Sequence, residues 1–277
     1  MPEQFIKDLF RHNTKCFLGF PDKKASGEFI DDLFNFLFLP NGIRFKTEIE
    51  VQKEFEELQK KFAELLKDVE SEEGKAEMIA RNFFMVIPEI YRQLIKDAEA
   101  ILHFDPASES FEEVLVAYPG FFATAIYRLS HQLYKYKVQI IPRLFSEYAH
   151  SKTGIDIHPG AQIGHPFFID HGTGIVIGET TIIGSNVKIY QGVTLGALNV
   201  AKELSKVKRH PTIEDNVIIY ANATILGGET VVGRESIIGG NVWLTNSVPS
   251  SSLVFHKSEI TVKDNIPEDQ LGLNFVI

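Results

Sequence analysis

The sequence predicts an all-helical N-terminal domain followed by a left-handed parallel β-helix of six-residue repeats with one extruded loop. Two observations lead to this prediction. Apolar residues recur at steps of three and four in the first half of the chain and at steps of six in the second half. The change of period sets the predicted boundaries at 1–153 for the helical domain, 154–250 for the β-helix and 251–277 for a C-terminal tail.

Four helical segments are predicted in the first half. The first ends before Gly74, and the second is bent near Pro88. The last lies between Pro142 and Gly154, since proline near the start and glycine just past the end are typical of helix boundaries. The apolar stripes of the other three are Val51, Phe55, Leu58, Phe62, Leu65 and Val69; Met78, Ile79, Phe83, Ile87, Ile90 and Leu94; and Phe122, Ile126, Leu129 and Leu133.

In the second half, an aliphatic residue recurs every six positions. A smaller residue stands two positions before it, and glycine often follows it. Each hexad predicts one short strand and one turn, and three hexads close a triangular coil around these side chains. A β-sandwich is the alternative, but its strands do not keep a six-residue register over about fifteen repeats. The aliphatic positions are Ile157, Ile163, Ile169, Ile177, Ile183, Ile189, Leu195, Ile213, Ile219, Ile225, Val232, Ile238 and Leu244.

Three breaks in this register indicate where function lies, because regular repeats form scaffold and irregular segments carry sites. The step from Ile169 to Ile177 is eight residues, beside an Asp-His-Gly string. The step from Ile225 to Val232 is seven residues. The polar, charged string ALNVAKELSKVKRHP interrupts the repeats before Ile213, and we expect it to leave one corner of the prism as a loop.

Composition excludes some partners. The formal net charge of −9 over 277 residues argues against nucleic acid or an anionic membrane as the main partner. No apolar run approaches the roughly 20 residues of a membrane span, and the N-terminus lacks the pattern of a secretory signal. The single cysteine, Cys16, excludes an internal disulfide and suits a reducing compartment, so we expect a cytoplasmic protein.

His171, in the eight-residue step, is the candidate general base, because a neutral imidazole accepts a hydroxyl proton near neutral pH. Asp156 lies fifteen residues earlier, and one coil is about eighteen residues, so the two could face each other at one edge or across a subunit boundary. Such a carboxylate would fix the imidazole tautomer. The alternative is that His171 only caps a turn.

Arg209 and His210 end the predicted loop and offer a cation beside a second imidazole. A guanidinium suits a substrate carboxylate because it binds both oxygens. The alternative is a solvated basic loop, since Lys202, Lys206 and Lys208 precede the pair. These lysines could instead neutralise the phosphates of a nucleotide-containing cofactor.

The strings GIDIHPGAQIG, IDHGTGIVIGET, QGVTLGA and RHPTIEDNV, with the upstream segment FDPASESFEEVLVAYPGFFATAIYRLSHQLY, resemble serine O-acetyltransferase of the hexapeptide-repeat superfamily. The resemblance runs from about residue 100 to about residue 248. It implies transfer of the acetyl group of acetyl-CoA to the hydroxyl of L-serine, which gives O-acetyl-L-serine and CoA as the first step of cysteine biosynthesis. It implies no metal.

The same resemblance assigns residue roles. It makes His171 the base and Asp156 its carboxylate partner. The remaining assignments are Asp105 and Asp170 for the substrate ammonium, Arg209 for the substrate carboxylate, His210 for the substrate pocket, and Gly196, Ala221 and Gly240 for CoA in the groove between neighbouring β-helices. Two departures affect CoA: the extruded loop is longer than is usual in the family, and SSLVFHKSEITVK replaces the usual segment after Val248.

The resemblance also implies an assembly. The family forms homotrimers through the β-helix and hexamers through the helical domain, so each active site lies between two subunits, and cysteine inhibits it by binding in the serine pocket. A C-terminal isoleucine tail, here ending in Ile277, inserts into O-acetylserine sulfhydrylase. The alternative is a frayed tail without a partner.

Three other functions stay open at this point. One is a hexapeptide O-acetyltransferase with a different hydroxyl acceptor, and another is an inactive scaffold that only binds a partner. The third is a zinc carbonic anhydrase on the same fold, with its metal held between subunits by histidines. The candidate zinc ligands are His158, His165, His171 and His210.

Overall fold

The computed structural model describes residues 2–14, 19–39, 45–198 and 207–257, and it shows helices followed by a parallel β-solenoid of about five turns. The prediction of a helical domain followed by a parallel solenoid is confirmed. The helices are α1 (Glu3–Thr14), α2 (Lys23–Phe38), α3 (Glu48–Lys67), α4 (Lys75–Phe104), α5 (Phe111–Ala117), α6 (Pro119–Lys135) and α7 (Ile141–Thr153).

The four predicted helices are α3, α4, α6 and α7. Helix α4 is continuous through Pro88, and Gly154 ends α7 in a left-handed conformation, as its position predicts. Gly74 was expected to stop the first helix, but α3 already ends at Lys67. Gly74 instead precedes α4, at φ 76°. Helices α1, α2 and α5 were not predicted, and no side chain of α1 is buried.

The solenoid consists of three parallel sheets that the chain visits in turn. The strands are β1 (Asp156–Ile157), β2 (Gln162–Ile163), β3 (Phe167–Asp170), β4 (Val176–Ile177), β5 (Ile182–Ile183), β6 (Val187–Tyr190), β7 (Thr194–Gly196), β8 (Thr212–Ile213), β9 (Ile218–Ile219), β10 (Thr224–Leu226), β11 (Val231–Val232), β12 (Ile237–Ile238), β13 (Trp243–Leu244) and β14 (Leu253–Val254). Sheet A contains β1, β4, β7, β10 and β13; sheet B contains β2, β5, β8 and β11; sheet C contains β3, β6, β9, β12 and β14.

The hexad residues fill the axis of the solenoid, because side chains on a strand alternate between its two faces. Register pairs such as Ile157 with Ile177, and Ile183 with Ile213, stack these side chains coil upon coil. The small residues two positions earlier are buried beside them, among them Ala161, Val187, Val193, Val217 and Ala223. Their burial stabilises the coils through the hydrophobic effect.

The helical domain covers the first coil. Helices α4 and α6 pack against β3, and α7 packs against β1. The buried Tyr127 hydroxyl donates to the Ala161 carbonyl oxygen at 2.6 Å and accepts from the Ile163 amide at 3.1 Å. Phe168 of β3 is buried in the helical core. The helices and the solenoid therefore share one packed boundary. None of the described helices is long and apolar enough to span a membrane.

Candidate active site

The turns of the solenoid form three corners, and two of them hold His171 and Arg209, respectively. Corner CA joins sheet C to sheet A and comprises 171–175, 191–193, 220–223 and 239–242. Corner AB joins sheet A to sheet B and comprises 158–161, 178–181, 197–198, 207–211 and 227–230. The predicted extruded loop belongs to corner AB, between β7 and β8, and its residues 199–206 lie outside the described ranges.

His171 lies on corner CA in the predicted two-residue bulge. Its backbone is left-handed at φ 55°, and Gly172 and Gly174 follow at φ 88° and 82°. A Cβ on Gly172 would lie 2.4 Å from Ile155 Cδ1, so glycine is required there. The bulge leaves the His171 side chain exposed, with Nε2 3.8 Å from Asp170 Oδ1. The imidazole can therefore reach a ligand outside the solenoid.

Asp105 and Asp170 both lie near Tyr118, and Asp170 directly precedes His171. Asp105 directly follows α4, and its carboxylate accepts from the Tyr118 hydroxyl at 2.6 Å and from the Ala107 amide at 2.8 Å. Burial is the main cause that raises the pKa of Tyr118 to about 12, and the hydrogen bond to Asp105 and the negative charge of Asp170 also raise it. Two neighbouring carboxylates suit a ligand ammonium group. Helix α4 thus places Asp105 in the neighbourhood of Asp170, although the two residues are far apart in the sequence.

A stack of aromatic residues, missed by the sequence analysis, continues from Asp170 toward later coils of the solenoid. Tyr190 pairs in register with Asp170, and its ring stacks on Tyr220 at 5.0 Å between centroids. Burial raises the pKa of Tyr190, and Asp170 adds to the effect. A sequence signal existed, because Asp170, Tyr190 and Tyr220 each directly follow a core isoleucine and therefore share one line on sheet C and its edge.

Arg209 lies on corner AB, where its guanidinium forms an ion pair with Glu179 through Nη2 and Oε2. The Tyr134 hydroxyl donates to the other oxygen of Glu179 at 2.9 Å. Burial favours a higher pKa of Glu179, but Arg209 and Tyr134 bring the pKa below its usual value. The carboxylate therefore orients Arg209, and a guanidinium with five donors can bind a second carboxylate besides. The sequence analysis missed Glu179 and Tyr134.

His210 is buried on the same corner. Its Nδ1 accepts from the Thr180 amide at 3.1 Å and lies 2.8 Å from Thr180 Oγ1, which itself accepts from the Arg209 amide at 2.9 Å. These contacts assign the proton of the neutral ring to Nε2. Burial lowers the pKa of His210 to about 4, and Arg209 contributes. A Cβ on Gly178 would lie 2.1 Å from Nε2, so the ring requires glycine beneath it.

Asp156 does not reach His171 within one chain, over the part of the structure that is described. Strand alternation buries Ile157 and turns Asp156 to the outer face of sheet A. There its carboxylate lies within 4.8 Å of the side chains of Glu147 and His150 on α7. A His171–Asp156 pair therefore needs the second possibility allowed by the spacing, a contact across a subunit boundary.

The three predicted CoA residues divide between the same corners. Ala221 and Gly240 are neighbours on corner CA, where a Cβ on Gly240 would lie 3.2 Å from the Ala221 carbonyl oxygen. Gly196 ends β7 at corner AB. Lys208 is not a free phosphate ligand, because its Nζ donates to the carbonyl oxygens of Thr180 at 3.1 Å and His210 at 2.6 Å.

The remaining sequence predictions concern the segment after Val248, the loop lysines, the C-terminal tail and the zinc alternative. The segment after Val248 adds β14 to sheet C, while Lys202, Lys206 and Ile277 lie outside the described residues. For the zinc alternative, the described residues contain one group able to hold a metal, formed by Glu147, His150 and Asp156. That group includes none of the candidate zinc ligands named above, so a single chain offers no zinc site of that kind in the described ranges.

Comparison with known proteins agrees with the resemblance found in the sequence, although no protein-family model matches the chain. The plasmid serine acetyltransferase of Synechococcus elongatus is 51% identical over 184 residues, which are 65% of this chain and 57% of the relative. Two Bacillus serine acetyltransferases are each 50% identical over 129 residues. The chain spans only 57–58% of the length of these three relatives.

Solved structures cover more of the chain. Serine acetyltransferase 1 of Entamoeba histolytica, in complex with L-cysteine, matches with a TM-score of 0.73 and 35% identity, over 83% of this chain and 86% of that structure. The Neisseria gonorrhoeae serine acetyltransferase in complex with serine matches with a TM-score of 0.59 and 26% identity, over 86% and 96%. Both the helices and the solenoid therefore have counterparts in solved proteins.

Proposed function

Because the chain belongs to the serine acetyltransferase family, we propose that it transfers the acetyl group of acetyl-CoA to the hydroxyl of L-serine. The products are O-acetyl-L-serine and CoA. The observation that carries this proposal is the exposed His171 imidazole beside Asp170, with Asp105 near the same Tyr118 that Asp170 influences, because a zwitterionic acceptor would satisfy these two carboxylates. A neutral sugar would leave those charges unpaired, which disfavours the alternative acceptor.

The proposed reaction uses His171 as the general base. The imidazole takes the proton of the serine hydroxyl as its oxygen attacks the thioester carbonyl carbon. The tetrahedral intermediate then collapses, the carbon–sulfur bond breaks, and the imidazolium returns the proton to the CoA thiolate. Asp105 and Asp170 hold the substrate ammonium, while Arg209 and His210 hold its carboxylate. We keep the family's assignment of Gly196, Ala221 and Gly240 to CoA, and no step needs a metal.

The two halves of this site lie at different corners, with sheet A between them, so one chain does not bring His171 to Arg209. A homotrimer with sheet A near its axis would place corner CA of one subunit against corner AB of the next. It would also cover Val176 and Trp243, whose exposed fractions on sheet A are 39% and 69%. In that assembly Asp156 faces the neighbour's His171, and each site is shared.

The proposal extends to the wider assembly. Helix α1 exposes an apolar face, which supports pairing of trimers into hexamers through the helical domain. The exposed residues of that face are Phe5, Ile6, Leu9 and Phe10. Cysteine, which is bound in the related Entamoeba structure, is proposed as an inhibitor in the serine pocket. The tail ending in Ile277 is proposed to bind O-acetylserine sulfhydrylase, and the cytoplasmic location remains part of the proposal.

An acceptor panel tests this function. CoA release from acetyl-CoA is measured with L-serine, L-homoserine and a sugar, each with and without L-cysteine. We expect release with L-serine that cysteine suppresses competitively. The absence of serine-dependent release would overturn the proposal, and release with a sugar alone would establish the alternative acceptor. Light scattering on the same protein separates monomer, trimer and hexamer.

A further inference from the structure

Glu147, His150 and Asp156 form a cluster at the junction of α7 and β1. Their ligand atoms all lie within 4.8 Å of one another. Glu147 and His150 are three positions apart on one helix face, and each side chain is 42% exposed in a single chain. Of the three residues, only Asp156 has a role in the proposed reaction.

The cluster has the composition of a site for a divalent transition metal. One imidazole nitrogen and two carboxylate oxygens are ligands that Zn²⁺ accepts, and three protein ligands with an open position are typical of its non-structural sites. Ideal ligand atoms around Zn²⁺ lie about 3.4 Å apart, given bonds of about 2.1 Å in a tetrahedron. Half-exposed side chains can close the remaining distance by changing rotamer.

Neighbouring side chains orient the Glu147 carboxylate as a metal ligand would be oriented. Arg143 Nη2 forms an ion pair with Oε1 of Glu147, while Oε2 lies 3.3 Å from His150 Nδ1. The guanidinium therefore fixes one oxygen and leaves the other directed at the imidazole. Partners that orient a ligating carboxylate in this way are a regular feature of metal sites.

We propose that Glu147, His150 and Asp156 bind a divalent transition ion such as Zn²⁺, and that the bound ion inhibits the enzyme. The inhibitory part rests on the proposed function. An ion coordinated by Asp156 withdraws that carboxylate from the neighbour's His171, so the general base loses its partner. This site differs from the histidine set of a carbonic anhydrase, because it uses two carboxylates and His150.

Binding is tested without reference to activity. Tag-free full-length protein is titrated with Co²⁺, and the visible absorption of the coordinated ion is recorded. We expect saturation at one ion per chain in the wild type. His150→Ala and Glu147→Gln should each weaken binding at least about tenfold, since each removes a ligand. His12→Ala, which removes an imidazole on α1, is the matched control and should bind as the wild type does.

Inhibition is tested in the serine-dependent assay with Zn²⁺. We expect the wild type and His12→Ala to lose activity reversibly, with recovery on adding a chelator. His150→Ala and Glu147→Gln should keep the ion-free turnover and require at least about tenfold more Zn²⁺ for inhibition.

The outcomes separate the two proposals. No saturable Co²⁺ absorption, or equal binding by the wild type and His150→Ala, overturns the metal site. Equal Zn²⁺ sensitivity in these two proteins overturns its inhibitory role. A protein that binds Co²⁺ through His150 but releases no CoA with L-serine contradicts the proposed function and leaves the metal site standing.

Discussion

Arg128 of α6 and Asp97 of α4 form a buried, two-contact ion pair at the boundary between the helical domain and the solenoid. The distances are 2.6 Å from Nε to Oδ2 and 2.9 Å from Nη2 to Oδ1. Arg128 also donates to the carbonyl oxygens of Ile163 and Gly164, and Asp97 accepts from the Phe167 amide at 2.8 Å. Both side chains of the pair thus form hydrogen bonds to backbone groups of the first coil.

This pair predicts a large loss of stability on Asp97→Asn. Removing one charge leaves Arg128 uncompensated in the interior, which costs about 3–5 kcal/mol of the free energy of unfolding. Urea unfolding followed by circular dichroism measures the change. Asp32→Asn is the control, because its ion pair with Lys61 at 3.2 Å is exposed and is expected to contribute less than about 1 kcal/mol. Equal effects of the two variants would contradict the role given to Asp97.

His171→Gln is expected to lower kcat at least about 10²-fold, because a general base typically contributes that much. The side chain is exposed in one chain, so the melting temperature should not change. Steady-state kinetics with L-serine and thermal unfolding give the two measurements. A folded His171→Gln protein with wild-type kcat would remove His171 from the mechanism, and His12→Gln controls for the loss of an exposed imidazole.

Gly178→Ala is expected to damage the substrate pocket without touching corner CA. The new Cβ would lie 2.1 Å from His210 Nε2, so the ring must leave its hydrogen bonds to Thr180. Loss of one such bond is worth about 1 kcal/mol or more, and we expect KM for L-serine to rise at least about fivefold. KM for acetyl-CoA is the internal control, and an unchanged KM for serine would refute the placement of His210.

His210 also predicts a pH dependence of stability. Its pKa is about 4 in the folded protein, whereas an unfolded histidine titrates near 6.5. Between these values the unfolded chain binds more protons, so the free energy of unfolding falls as pH falls from about 6.5 to about 4. Burial lowers the pKa of His158 and His131 as well, with the same sign. Urea unfolding at several pH values measures the slope, and His210→Gln should reduce it.

The solenoid could be predicted because its signal is local. The six-residue period sets strands, turns and core together, and a two-residue insertion such as that at His171 has to leave the coil. In the structure His171, Gly172 and Gly174 of that insertion have left-handed backbone. The Arg209–His210 string could be located on a corner for the same reason, since it ends the break between two in-register hexads.

The contacts between segments could not be predicted. The approach of Asp105 to Asp170 depends on how α4 docks on β3, and no period in the sequence encodes that packing. Glu179 becomes the partner of Arg209 only when two coils stack. Spacing left open whether Asp156 meets His171 within one chain or across a subunit boundary, and alternation along β1, which turns the Asp156 side chain to the outer face of sheet A, favours the second.

The separation of His171 and Arg209 on two corners has a genetic consequence. In the proposed trimer, a chain lacking His171 still supplies Arg209 to its neighbour, and a chain lacking Arg209 still supplies His171. Every trimer that mixes the two defective chains contains one intact site, so co-expression should restore about a quarter of all sites by random assembly. Two alleles that are each inactive would then complement one another, whereas His171→Ala and Asp170→Ala, which damage the same half of the site, would not.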